Sequence, residues 1–532
     1  MKRLLFAFIL CCAKGVVFSQ NPDIAYPHVS VVSPEAASLA MNIDYPVSLY
    51  TGVPNIDIPL YKIDVDGFEL PLTLSYHASG IRVDQEASWV GLGWTLDVGA
   101  RISRVIKNVD DFLENGWDRY HPYCKTGWYD GPSFTYANED LYKMTGEPSD
   151  QAWADLRYHL ITDSEPDLFF YSLPSCNGKF IFDKKHLPVL FNKEHNLKVE
   201  VSKVGNPARI QLTVFDAEGN RYIFHDEEES RLYLANNALN RNGTNPKDKY
   251  DDDARSFTEW VPIRIGNTWD MDPGPVDPYP HTSCWCVSEI ITNKNKVIDF
   301  NYEYEMQYLP TQESCEIYNS TKDNKQSKLF TRSKTINKAL HLKSISWTGG
   351  KVEFKTSNRE DIKGSAKKID GLTLHNVNGD IVGSVSFHQS YFNDDYEGDY
   401  PHVFKRLRLD SLSLRGVAKG YEFDYFDGSL PPKNTKNVDY WGYPNGREYG
   451  DDYCVGVYVN GTKYKGVKKN ACLEKSQVGT LSKIKYPTGG TSEFTYENHI
   501  FSTTFDNVTN NEFDKPRQHR GVVSQGRHLC LQ

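Results

Sequence analysis

The sequence predicts an all-β protein: antiparallel hairpin repeats forming an extended, curved sheet or partial shell, with one irregular insertion. Three observations predict it. Aromatic residues make up 13% of the chain, with 33 Tyr, 26 Phe and 10 Trp; such residues favour strands and bury large areas. Runs of Ala, Leu, Glu and Lys at helical spacing are almost absent. One hairpin pattern recurs four times between residues 288 and 496. At 532 residues the chain has room for two or three ordinary domains or for one long repetitive β-structure.

Residues 1–19 read as a secretory signal. Lys2 and Arg3 precede the apolar run Leu4–Cys12, and Val17-Phe18-Ser19 offers a cleavage site before Gln20. Lys14 interrupts the run, and a membrane anchor needs about 20 apolar residues. Lipidation at Cys11 or Cys12 is disfavoured because Leu10 and Cys11 are poor residues to precede a lipidated cysteine. The expected location is therefore secreted or cell-surface, with no membrane span.

Residues 20–110 form an N-terminal β module. Residues 111–165 are irregular and rich in Trp, Tyr, Gly and Asp, with a short helical candidate at Asp150–Arg157; they read as an insertion covering the sheet. Residues 166–505 are the hairpin-repeat region with long loops. Within it, Lys179–Asp183 and Leu197–Val201 alternate as strands, and Phe215-Asp-Ala-Glu-Gly219-Asn220-Arg-Tyr222 puts a turn between two aromatic strands.

In the four repeats an aliphatic residue (Ile290, Ile345, Leu412, Ile484) stands 9 to 11 residues before a phenylalanine (Phe300, Phe354, Phe423, Phe494). Alternation on both sides of a Gly or Asn turn is a hairpin signature, because successive side chains point to opposite faces. Gly349-Gly350 and Gly489-Gly490 are expected to supply the positive φ of tight turns. One hairpin cannot bury its own apolar face, so neighbours must pair into a growing sheet, with the four aliphatic residues on its buried side. The acidic runs Glu227–Glu229 and Asp251–Asp253 and the Pro-rich Asp272–Pro280 read as long surface loops. The basic, patternless segment 506–532 reads as a disordered tail, which leaves the last strands, 481–505, as an open edge.

The net charge of −10 becomes −13 without Lys2, Arg3 and Lys14 of the signal, a balance that excludes nucleic acid as a partner. The cluster Lys463, Lys465, Lys468, Lys469 reads as a solvated strand face. Eight of the ten cysteines lie beyond the signal, and Cys454 with Cys472, closing a short loop, is the first expected disulfide. His281-Thr-Ser-Cys284-Trp-Cys286 lacks a second ligand pair at zinc spacing, so a disulfide or buried thiols are favoured over a metal site.

Several motifs carry a family resemblance. Leu70-Pro-Leu-Thr-Leu-Ser-Tyr76 is followed by Trp89-Val-Gly91-Leu-Gly93-Trp94 and by Arg101-Ile-Ser-Arg104. Later come Glu165-Pro-Asp167-Leu-Phe-Phe-Tyr171, Leu430-Pro-Pro-Lys-Asn-Thr435, Asp439-Tyr-Trp441-Gly442-Tyr443 and Tyr486-Pro-Thr-Gly489-Gly490. Together they resemble the SpvB-type N-terminal module of secreted bacterial Rhs/YD-repeat proteins and of the shell-forming subunits of Tc toxins. The resemblance implies the N-terminal part of a shell or scaffold, whose partner is a downstream YD-repeat or toxin segment. Neither a core self-cleavage motif nor a toxin domain follows, so the sequence reads as a truncated or frame-shifted member. Within the resemblance, Trp94 is expected to be buried and Gly93 to sit where no side chain fits.

No catalytic motif is present: there is no His-Glu-x-x-His, no Gly-x-Ser-x-Gly and no phosphate-binding Gly-x-x-x-x-Gly-Lys. No catalytic residue, cofactor-binding residue or metal ligand is nominated, and the chain is expected not to be an enzyme. Asp270-Met-Asp272-Pro-Gly274 lacks the fifth-position oxygen of a calcium loop and reads as solvated. The alternative function is a carbohydrate-binding or carbohydrate-processing surface protein with Trp441 and Tyr443 as stacking platforms, so that a cell-surface glycan is a partner. Core packing is the favoured role for those two residues.

Overall fold

The computed structural model describes residues 54–107, 110–112, 128–129, 165–205, 209–236, 281–319, 326–449, 453, 458–459, 462–463, 467–498 and 522–524. The signal, the helical candidate at 150–157, the acidic run at 251–253 and the candidate calcium loop lie outside these residues.

The chain opens with a three-stranded meander, β1 (Asn55–Val65), β2 (Phe68–His77) and β3 (Trp94–Asp97). Asp66 and Gly67, both at positive φ, make the two-residue turn between β1 and β2, and such turns match the twist of the strands they join. Ile56 and Ile58 are buried, as are Ile63 and Val65. The change of phase between the two pairs is absorbed by a bulge between Pro59 and Tyr61.

A large antiparallel sheet takes up most of the rest. Its first strands are β4 (Arg101–Val105), β5 (Leu168–Ser172), β6 (Asn177–Phe182), β7 (Pro188–Leu190), β8 (Lys198–Val204), β9 (Arg209–Phe215) and β10 (Arg221–Asn236). The repeats begin with β11 (His281–Ile291), β12 (Val297–Tyr308), β13 (Gln312–Asn319), β14 (Gln326–Trp347), β15 (Gly350–Asn358) and β16 (Lys363–Gly364). They continue through β17 (Lys367–Asn376), β18 (Ile381–Phe392), β19 (Arg406–Leu414) and β20 (Tyr421–Tyr425). The hairpin β21 (Tyr458–Val459) and β22 (Thr462–Lys463) stands apart before β23 (Leu481–Lys485) and β24 (Thr491–Glu493). Two one-turn helices, α1 (Pro401–Phe404) and α2 (Leu473–Ser476), lie in the connections.

β11 is the branch point. Cys284–Cys286 pair with β4, which leads to β5, β6 and β7, while Glu289–Ile291 pair with β12 on the same edge. From β12 the sheet runs through β14, β15, β17, β18, β19, β20 and β23 to β24. The second half of β10 leaves β11 and pairs with β14, so these strands wrap locally. The sheet curves without closing into a barrel.

The four repeats are four hairpins. Ile290 faces Ile298, Ile345 faces Val352, Leu412 faces Tyr421 and Ile484 faces Ser492. All four aliphatic residues are buried as expected, with Phe300, Phe354 and Phe423 beside them in one core that extends from Ile56 to Tyr496. Four turns outside those four hairpins share a device that the repeat pattern does not predict. At Asp183, Asp216, Asn376 and Asp439 one side-chain oxygen accepts from the backbone N–H groups two and four residues later, at 2.8–3.0 Å. The residue three places on is left-handed in each case: His186, Gly219, Gly379 and Gly442. This is a type I turn followed by a bulge residue, and the Asx side chain supplies its hydrogen bonds. Gly489 has the predicted positive φ, but Gly350 is nearly extended at 159° and is needed because a Cβ there would lie 2.3 Å from His375 O.

Two expectations about loops are corrected. Glu227–Glu229 are not a surface loop but lie within β10, between β11 and β14. They tolerate burial because each is partnered: Glu227 accepts from the Thr282 hydroxyl, Glu228 from Leu340 N, and Glu229 pairs with Lys338. The segment 506–532, expected to be disordered, contains a strand: Val522–Ser524 (β26) pair with Tyr496–Asn498 (β25). The described residues of the insertion pack onto the sheet, with Phe112 against Phe169, Phe182 and Trp285, and Trp128 Nε1 donating to Phe182 O.

Candidate functional site

The segment between β2 and β3, residues 78–93, lies across the large sheet, and most of the motif residues meet there. Gly93 has φ +79°, and a Cβ on it would stand 2.6 Å from the Tyr76 ring. A Cβ on Gly91 would meet Leu409 N at 3.0 Å. These glycines let Leu92 N reach Leu407 O at 2.8 Å. Trp94, 1% exposed, then packs between the rings of Tyr76 (5.0 Å) and Phe423 (4.6 Å). Its Nε1 donates to Tyr425 Oη, whose hydroxyl donates to Leu409 O. Tyr76 Oη accepts from Leu481 N, and Gln389 Nε2 donates to Val90 O.

A buried charged cluster fastens the same segment. The Arg359 guanidinium forms two hydrogen bonds to Asp361 (2.8 and 2.7 Å) and donates to Ser88 O and Ala87 O. Asp361 also accepts from Leu407 N. Lys433 pairs with Glu86 and donates to Asp361 O, and Arg406 Nη2 donates to Val83 O. Burial alone pushes the Asp361 carboxyl up, but Arg359 and Lys433 reverse that and hold it below the ordinary range. Burial lowers both Lys433 and Arg406, the latter to about 10.

A second cluster anchors β4. Arg104 is buried, bound by Asp110 at 2.5 and 2.8 Å and by Thr282 O, with its guanidinium 5.2 Å from the Trp285 ring centre. Asp167 lies 3.4 Å from Arg104, and Asp167 and Asp111 each accept the other's backbone N–H. Burial, and then the Asp111 charge, push the Asp167 carboxyl well above its ordinary range.

The remaining sequence-nominated residues fall as follows. Trp441 is not packed in the core: it is 37% exposed, edge-on to an equally open Tyr440, because Asp439 caps a tight loop that turns the indole outward. Tyr443 is partly buried and donates to Ser79 O. Cys284 and Cys286 are buried free thiols, and a hydrogen bond from the pair together with burial pushes Cys284 well above the usual thiol range. The expected Cys454–Cys472 disulfide is absent: Cys472 is a free thiol whose carbonyl opens the α2 turn. Lys469 is half-buried rather than on a solvated face. Among the described residues no group of three His, Cys, Asp or Glu side chains could hold a metal ion, and no helix is long and apolar enough to cross a membrane. Sequence reading missed Arg359, Asp361 and Glu86, which lie in polar stretches indistinguishable from exposed loops.

No family model matches the sequence, and no curated protein matches it. Among solved structures, the N-terminal domain of the effector SpvB from Salmonella typhimurium is similar at 10% identity and a TM-score of 0.28, over 68% of this chain and 98% of that one. The TcdB2-TccC3 structure is similar at 9% identity and a TM-score of 0.32, over 86% of this chain and 19% of that one. The Tc holotoxin pore of Photorhabdus luminescens is similar at 9% identity and a TM-score of 0.33, over 92% and 19%. The chain thus spans less than a fifth of the toxin chains it matches.

Proposed function

We propose that this chain is a non-catalytic structural module of a secreted or surface protein, the N-terminal part of a shell or scaffold wall. The observation that carries the reading is where the motif residues go. Gly91, Gly93, Trp94, Arg104, Asp167 and Lys433 are spent on holding the N-terminal hairpin and the insertion to one continuous sheet. The Asp167 carboxyl, which burial raises well above its ordinary range, lies in a cluster with Arg104 and backbone N–H groups, an arrangement that binds protein rather than substrate. In this reading the wall encloses or displays a downstream YD-repeat or toxin segment, as the sequence resemblance implies. The test is a screen for hydrolase, nuclease and protease turnover with the purified chain. No turnover is expected; an activity lost in Asp167→Asn or Asp361→Asn with the fold intact overturns the reading.

A second reading, a glycan-binding surface, is favoured by the exposure of Tyr440 and Trp441. A glycan array tests it: binding that disappears in Trp441→Ala, with unchanged stability, supports it over the purely structural role.

A further inference from the structure

Beside the charged seam, Val83 and Asp84, the connection after β20 and the start of β13 line a half-open cavity of about 330 Å³. Ligand pockets run from roughly 300 to 1,000 Å³, so this one is sized for a small solute. Three ammonium groups share its wall: Lys433, Lys436 and Lys469. Two are already engaged, Lys433 with Glu86 and Asp361 O, and Lys436 with Glu313 O at 2.6 Å. Lys469 differs. Among the described residues its ammonium has no hydrogen bond and no ion pair, standing only over the rings of Tyr449 and Tyr453, at 5.9 and 5.8 Å. Burial lowers its pKa against the weaker opposing pull of the Asp439 carboxylate, whose Oδ1 is taken up by the backbone N–H groups of Trp441 and Tyr443.

A second cation stands behind the wall. Arg406 donates Nη2 to the carbonyl of Val83, a lining residue, and its Nε and Nη1 have no partner among the described residues although the side chain is fully buried. The two carboxylates on the wall have partners of their own. Asp84 sits 3.5 Å from Arg82, and Glu313 accepts from the Tyr453 hydroxyl. Carboxylates act on both cations, Asp439 on Lys469 and Glu86, Asp361 and Asp84 on Arg406, but among the described residues the Lys469 ammonium and the Arg406 Nε and Nη1 groups lack hydrogen-bond acceptors. Buried donors without acceptors are costly, and a bound anion is the simplest remedy. Gln312, Ser314 and Thr435 add side-chain hydrogen-bonding groups to the lining.

We infer that this cavity binds a small oxyanion-bearing solute, with Lys469 as its direct charge partner. The chemistry fits the carboxylate of a sugar acid or a free phosphate. Calorimetric titration of the full chain at constant ionic strength separates them, using D-glucuronate, inorganic phosphate and neutral D-glucose as probes. Binding of glucuronate alone assigns a sugar acid; binding of phosphate, alone or with glucuronate, assigns the oxyanion itself. Lys469→Met is expected to weaken binding at least about tenfold, the worth of one charge-assisted hydrogen bond. The same variant should not lower the thermal midpoint without ligand, because it removes a half-buried ammonium that makes no hydrogen bond and no ion pair among the described residues, and Lys469→Arg should retain binding. If Lys469→Met fails to fold, Lys469→Gln with a circular dichroism check replaces it. The inference is overturned if neither anion binds, if glucose binds as well as glucuronate, or if the Lys469 variants bind like the wild type.

Discussion

Replacing Gly93 by alanine tests the seam at its tightest point. Two terms oppose the new methyl group. The backbone is left-handed at φ +79°, which costs an L-residue roughly 1–2 kcal/mol. The Cβ would also stand 2.6 Å from Tyr76 Cε2, and overpacking of this kind costs about 1–3 kcal/mol. The Tyr76 ring has nowhere to retreat, because it lies against Trp94 and its hydroxyl is held by Leu481 N. The sum is a destabilisation of about 2–5 kcal/mol, and Gly93→Val should exceed it. Gly379 supplies the control: its φ is +83° and no atom lies within 4 Å of where a Cβ would be. Gly379→Ala therefore meets the backbone strain without the collision, and both variants share the same loss of unfolded-state freedom. Urea midpoints of the two variants, read by tryptophan fluorescence and far-ultraviolet circular dichroism together, give the difference. If Gly93→Ala is no less stable than Gly379→Ala, the packing of Tyr76, Gly93 and Trp94 described above is wrong.

Three further outcomes are expected. Arg359→Ala should lower stability by about 3–5 kcal/mol, since it strands Asp361 as an unpaired buried charge; a urea midpoint within about 1 kcal/mol of wild type contradicts that. The raised Asp167 pKa makes its share of stability fullest below about pH 4 and lost as pH rises towards the folded-state value. Asp167→Asn should thus gain on the wild type between about pH 4 and 7, and a constant gap across that range refutes the assignment. Cys284 and Cys286 should resist alkylation in the folded protein and react after denaturation, as peptide mass spectrometry would read; labelling in the native state would place them at an accessible surface.

The hairpins were legible because their signal is local. An aliphatic residue, a turn and a phenylalanine fall within one short stretch, and period-two alternation reports burial directly. Trp94 and Gly93 were legible through their motif. The acidic run 227–229 was misread because three successive glutamates look solvated in sequence. Only the meeting of β10 with Thr282, Leu340 and Lys338, all distant along the chain, gives them partners. Trp441 was misread for the opposite reason: average tryptophan burial says nothing about a loop whose Asp439 cap turns the ring out. The seam was invisible because Arg359, Asp361, Glu86 and Lys433 are charged residues in irregular stretches, and nothing local distinguishes a buried pair from an exposed one.

That invisibility bears on what the seam does. Four hairpins built on one pattern present similar apolar faces, and a period-two pattern discriminates poorly among partners of equal shape. Hydrophobic burial by itself would let the 78–93 segment settle on more than one stretch of such a sheet. The charged cluster removes the degeneracy. Arg359 meets carbonyls 87 and 88, Lys433 meets Glu86, and Arg406 meets carbonyl 83, so three cations from separate parts of the chain read four positions between 83 and 88 of one segment. A shift of the segment by one residue would leave Glu86 and Lys433 buried apart, which costs several kcal/mol against the small margin by which proteins are stable. The aromatic core therefore supplies the driving force for the wall, and the buried charges select the one docking of its N-terminal hairpin that the core alone does not specify.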